Sequence, residues 1–269
     1  MASRIHIDFE TRSAVDITRV GSWKYAQHPS TEVLCLAYSL PDKDEPEIWH
    51  PEFGSCEDLF SSGIPAKPEP KDLFQAIKDG AMVFAFNAGF EQAVWQEIMH
   101  KRHGWPQIPF NSWRCSSAQA SACGIIGSLE KAASVVGLSM KKDKEGQGLT
   151  KSMAVPVNLK KNDERTLVLR GDHHFLEGAE NLNRLFEYCK QGVRTERAIR
   201  EALPPMTSRE MRIWRLDQIM NSQGLCIDMD LLEEVNLLRN SWQEEGKRKF
   251  EEIVGGPSPQ ALRTWLGEK

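Results

Sequence analysis

The chain has 269 residues, with 34 Lys and Arg against 38 Asp and Glu, a formal charge of −4 with histidines neutral. At about 150 residues per domain this is one large or two small domains, and the balance excludes a cationic wrapper that neutralises phosphates by bulk charge. A hydrophobic content of 40% with 27% charged residues is ordinary for a globular chain able to bury a core.

In chain order, Arg4 to Glu10 alternates strictly, with Ile5, Ile7 and Phe9 on one face and His6, Asp8 and Glu10 on the other, the period of a strand. Gly21-Ser-Trp and His28-Pro-Ser30 read as a turn before a second strand, Glu32 to Leu40. Ile48 to His50 is a short third strand, and a proline-rich loop from Ile64 to Pro70 leads into a helix over Lys71 to Lys78. Ala81 to Phe86 is a buried strand by length, and Phe90 to His103 an amphipathic helix carrying Val94, Trp95 and Ile98. Ser128 caps a helix from Leu129 to Val136.

Lys141 to Arg170 is polar and reads as irregular, with eight basic residues against four acids. It is a candidate phosphate-tracking surface, and equally a solvated loop. A long helix follows from Ala179 to Leu203, its apolar stripe Leu182, Leu185, Phe186, Cys189 and Val193, ended by Pro204-Pro205. Beyond lie a helix near Arg209 to Asn221, an extended piece at Leu225 to Ile227, a polar helix from Leu231 to Ile253, and a break at Gly255-Gly-Pro257. Strands first, then helices, predict an α/β layer fold with a mixed sheet, divided at Pro204-Pro205 into residues 1–203 and 204–269.

Six cysteines without a C-x-x-C pair argue against zinc or redox motifs and read as reduced thiols. The start lacks a secretory leader and no apolar run is long enough to span a bilayer. A cytoplasmic protein without a membrane partner is therefore expected.

Three segments carry candidate chemistry. Asp8 and Glu10 share a strand face about 7 Å apart at their Cα atoms, an unfavourable pairing without a cation or proton between them. A solvated strand face is the alternative. Asn87 and Glu91 lie between a strand and a helix, where an α/β sheet opens its crevice, although turn and first-turn roles account for them as well. Tyr188 and Gly192 share a helix face at i, i+4, and a glycine inside a strong helix costs about 1 kcal/mol.

Together these segments resemble the exonuclease motifs of the proofreading domain of family A DNA polymerases, particularly the phage and prophage type. Asp8-Phe-Glu10-Thr11 resembles D-x-E-T. Asn87-Ala-Gly-Phe90-Glu91 resembles N-x-x-[FY]-D with Glu for Asp, and Tyr188-Cys-Lys-Gln-Gly192 resembles Y-x-x-x-D with glycine at the last acid. The flanks Lys24 to Tyr38, Trp113-Arg-Cys115 and Lys142 to Gly146 agree, and Leu216 to Asp228 is similar to the segment leading into a polymerase domain.

The resemblance implies a ribonuclease H-like fold, a mixed five-stranded sheet with flanking helices, and a helical lead-in over residues 204–269. It implies hydrolysis of the 3′-terminal phosphodiester of single-stranded DNA by two Mg²⁺ or Mn²⁺ ions roughly 4 Å apart. Asp8 would bridge the ions, Glu10 would bind the one activating water, and Glu91 would hold the second. Tyr188 would orient the water, while Thr11, Asn87 and Phe90 would contact the terminal nucleotides. Gly192 removes one ligand, so activity is expected to be weak or absent, and the partners expected are a single-stranded 3′ end and a polymerase domain. The competing expectations are a non-catalytic domain that binds single-stranded DNA or braces a polymerase, and a free-standing relative acting on RNA.

Overall fold

The computed structural model describes residues 3–54, 63–138, 144–159 and 165–267. Cys56 and much of the basic segment, including Lys141, Lys142, Lys160 and Lys161, lie outside the described residues.

The alternation that predicts the first strand extends through β1 (Arg4–Arg12). Ile5, Ile7 and Phe9 enter one core, while the polar face turns the other way. Next comes α1 (Ile17–Gln27), where the sequence suggested only a turn. Asp16 caps this helix by accepting from the Thr18 amide, but Gly21 interrupts it at φ 75°, which obscures the helical period.

β2 (Glu32–Ser39) and β3 (Glu47–Trp49) follow, then α2 (Lys71–Lys78) and β4 (Met82–Ala85). α3 (Ala88–Val94) starts earlier than expected and passes into a wider π-helical turn over Trp95–His100. β5 (Trp113–Cys115) and α4 (Ser116–Ala122) were not foreseen, because three strand residues and a small-residue helix carry little period. α5 (Leu129–Val135) begins at Ser128, whose hydroxyl accepts from the Lys131 amide as predicted.

The segment expected to be irregular contains α6 (Lys144–Ala154) and β6 (Leu167–Arg170), and β6 forms a hairpin with β7 (His173–Leu176) just beyond it. α7 (Ala179–Ala202) is the predicted long helix and buries the predicted stripe. The last helices are α8 (Ser208–Gln223), α9 (Met229–Val254) and α10 (Pro259–Trp265). Leu225–Ile227 forms no strand.

The five-stranded sheet has the order β3-β2-β1-β4-β5. β1 pairs antiparallel with β2 and parallel with β4, β3 is antiparallel to β2, and β5 is parallel to β4. This mixed sheet is consistent with the ribonuclease H-like arrangement expected. One face packs on α2, α3 and a tryptophan group in which Trp105 meets Trp49 at 4.7 Å and Trp95 at 5.4 Å between ring centroids. α7 covers the other face with Leu182, Leu185, Phe186, Cys189 and Val193 against Leu34, Cys35 and Ala37.

Contacts divide the chain into units 1–219 and 220–269. The first unit therefore runs past Pro204-Pro205, where α7 does end. Trp214 of α8 is buried in the sheet's core, and the Gln119 amide donates to the carbonyls of Leu203 and Pro204. In the second unit α9 opens on an Asp228 cap and closes at a left-handed Gly255. It leaves apolar side chains such as Leu237 and Trp242 exposed. No helix among the described residues is long and apolar enough to cross a membrane.

Candidate metal centre

The crevice arises from unequal strand lengths. β4 pairs with β1 only as far as His6–Phe84 and ends at Ala85. Beyond that point β1 continues without a paired strand on this side, so Asp8 and Glu10 lie past the end of β4, where the chain turns into α3. A bulge between Glu10 and Thr11 re-aims the end of the strand.

Asp8 and Glu10 point toward α7, and a ligand atom from each lies within 4.8 Å of one another and of the Cys189 sulfur. The Cys189 thiol donates to the Asp8 carbonyl at 3.2 Å. Burial pushes that thiol well above its ordinary pKa, so it stays protonated and is a poor ligand for a hard cation. Glu91, from the first turn of α3, is only 4% exposed. Its Oε2 is buried without a hydrogen-bond partner.

The three acids act on one another electrostatically. Burial raises the Asp8 carboxyl to about 7, and the Glu196 charge adds to the rise. Glu10 is raised well above its ordinary value by burial and then by Asp8, and Glu91 by burial and then chiefly by Asp8. Each shift has the same two physical causes, removal of the carboxylate from water and the negative charge of its neighbours. The oxygen donors and the orphaned Glu91 oxygen fit a divalent cation such as Mg²⁺ or Mn²⁺.

α7 crosses this face of β1. A β-carbon at position 192 would overlap Asp8 Oδ2 and lie 3.2 Å from its Cγ, so the glycine admits the Asp8 carboxylate against the helix. Tyr188 is half-buried one turn before Gly192. Thr11 is buried and shares a hydrogen bond of 2.9 Å with the Tyr25 hydroxyl, while Tyr25 and Phe90 hold their rings 6.2 Å apart. Asn87 precedes α3, exposed, and its side chain makes no cap hydrogen bond.

Two residues of this neighbourhood were not singled out in the sequence. Tyr25 lies in a flanking segment whose local pattern says nothing about the crevice. Glu196, one turn beyond Gly192, is 2% exposed and hydrogen-bonds His6 Nδ1 and Ser116 Oγ. The only sequence signal for it is its i, i+4 relation to Gly192.

A mixed α/β sheet with a close pair of acids on its central strand and a third buried acid at the start of α3 is an arrangement able to bind a divalent cation. No family profile matches the chain. It is 28% identical over 272 aligned residues to a protein described as DNA polymerase from Bacillus phage SP02. The alignment covers 98% of this chain and 38% of that polymerase, so the chain spans well under half its relative's length. The similarity supports a polymerase-related protein.

Proposed function

We propose that residues 1–219 form a ribonuclease H-like 3′→5′ exonuclease domain for the 3′ end of single-stranded DNA, weakened by the glycine at position 192. The observation that carries this reading is the pair of acids Asp8 and Glu10, whose ligand atoms lie within 4.8 Å of each other on β1, together with the buried, unpartnered oxygen of Glu91, whose carboxyl feels both of their charges. The phage polymerase similarity supports the nucleic-acid substrate and a polymerase partner, and the uncovered apolar side chains of α9 are in keeping with such a neighbour.

Asp8, Glu10 and Glu91 would hold the divalent ions, which when bound supply Lewis-acid activation of water and of the scissile phosphate. Asp8 would be a ligand open to both ions, because it neighbours Glu10 on its own strand and position 192 on α7. The Tyr188 hydroxyl would orient the attacking water. A tyrosine, with an ordinary pKa near 10, is a poor base at neutral pH. Phe90 would pack on a terminal base or sugar, with Tyr25 behind it and Thr11 fixed by the Tyr25 hydroxyl. Asn87, exposed at the mouth, would donate to the strand.

Gly192 leaves three carboxylates of the resembled set facing two dications. Expected with Mg²⁺ is little shortening of a 3′-labelled oligonucleotide, partly rescued by Mn²⁺, and an increase by orders of magnitude in Gly192→Asp. Equal, fast digestion by both forms would show that position 192 is misassigned. Retention of an intact strand by both would favour a binding domain, a reading that the missing acid supports.

A further inference from the structure

Glu196 is a buried acid that the reading above leaves unused. It stands four residues after Gly192 on the same face of α7. The helix runs along β1 in a fixed register: position 192 abuts Asp8, and Glu196 meets His6, two residues back on the same strand face. One helical turn, about 5.4 Å, thus matches one two-residue strand repeat of about 7 Å. His6 is itself fixed, stacked on Phe84 at 5.1 Å between ring centroids. The second Glu196 oxygen accepts from Ser116, the first residue of α4.

Hydrogen bonding alone does not call for an acid here. A glutamine would accept from one of these partners with its oxygen and donate to the other with its amide, because both a neutral imidazole and a hydroxyl can accept. The positive groups facing Glu196 are His6, which pairs with it, and Arg200 one turn further along α7. The field of Glu196 reaches Asp8 and Glu91, raising both.

We propose that Glu196 stands in for the acid absent at position 192, supplying through water, from one turn further along α7, the negative charge that a second divalent ion needs beside Asp8. With Glu196, four carboxylates balance two dications, and His6 and Ser116 orient it as outer partners orient metal-site carboxylates. Glu196 is on this account a positioning residue that acts on the ion, and the proposal rests on the two-metal reading.

The test is Mn²⁺ binding to the whole chain, counted by the loss of the free-ion electron paramagnetic resonance signal, in four forms: unaltered, Glu196→Gln, Gly192→Asp, and the double variant. Metal-free thermal melts establish that each form is folded. Glu196→Gln should weaken the second Mn²⁺ by about 10- to 100-fold, the range for outer partners of metal ligands. In the Gly192→Asp background the same change should cost little, because the acid it replaces is back. A purely structural Glu196 would cost the same in both backgrounds, and that result overturns the proposal. Asp8→Asn is the control for the underlying reading. If it abolishes binding while Glu196→Gln acts equally in both backgrounds, the metal centre stands and the Glu196 role falls. If Asp8→Asn leaves Mn²⁺ binding untouched, the metal reading itself falls, and this proposal with it.

Discussion

Asp8 sits where three demands meet: it is half-buried, it has Glu10 beside it, and it fills the room that a side chain at position 192 would take. Its carboxyl is raised to about 7, and Glu10 and Glu91 are raised as well. A carboxylate raised on folding keeps its proton in the folded chain after the unfolded chain has released it. Stability therefore falls as pH rises from about 4, the ordinary carboxylate value, to about 7. Metal-free chain in EDTA should melt several degrees lower at neutral pH than near pH 5, with Mg²⁺ or Mn²⁺ removing most of the difference. Calorimetry across that range checks this, and an equal loss with and without the ion would count against a cation site at these acids. At the same scale, Gly192→Asp requires Asp8 to swing away from α7. That motion is within reach of a flexible side-chain end, so the variant should fold, and its melting temperature should depend more steeply on Mn²⁺ than that of the unaltered chain.

Among the elements, the hairpin β6–β7 is held to the end of β1 by a buried ion pair. Arg12 donates to Glu177 at 2.7 Å and to Glu32 at 2.9 Å, with its guanidinium 5.5 Å from the centroid of Phe175. Arg12 and Glu177 are almost wholly buried. Stranding a buried charge costs about 3–5 kcal/mol, but Arg12 keeps Glu32 as a partner when the Glu177 charge is removed. Glu177→Gln should therefore lose about 1.5–3 kcal/mol in urea unfolding at pH 7, the range for a hydrogen bond to a charged group, whereas a change below about 1 kcal/mol would mean that the pair is screened as a surface bridge is. The cap of α5 provides a smaller comparison. Ser128→Ala should cost about 1 kcal/mol, because the Lys131 amide loses its acceptor.

For the whole molecule, the extent of the first unit matters for any fragment made from it. Trp214 is buried in the core, and Arg215 donates to the Asn111 carbonyl at 3.2 Å, so the chain after Pro205 contributes to the fold of residues 1–219. A fragment ending at Ile219 should melt close to the intact first unit. One ending at Leu203 should melt well below it, since truncating a buried tryptophan side chain alone costs about 3–5 kcal/mol. Indistinguishable melting of the two fragments would place the working boundary back at Pro204-Pro205.

The sequence by itself determined the elements with strong periods: β1 from its alternation, α7 from its stripe and proline stop, and the Ser128 cap. Its short motifs singled out Asp8, Glu10 and Glu91, although a solvated strand face for the first two and a first-turn helix acid for the third account for the residue types as well. It did not disclose α1, whose period Gly21 interrupts, nor β5, nor the Arg12–Glu177 pair, whose members are 165 residues apart. Only the tertiary structure decided that the glycine at 192 opens onto Asp8, that Glu91 presents an unpartnered oxygen, and that Glu196 is buried beside them. Periodicity and capping are properties of neighbouring residues, set by local backbone geometry. Burial of a charge depends on which distant segments fold over it, and no local pattern encodes that.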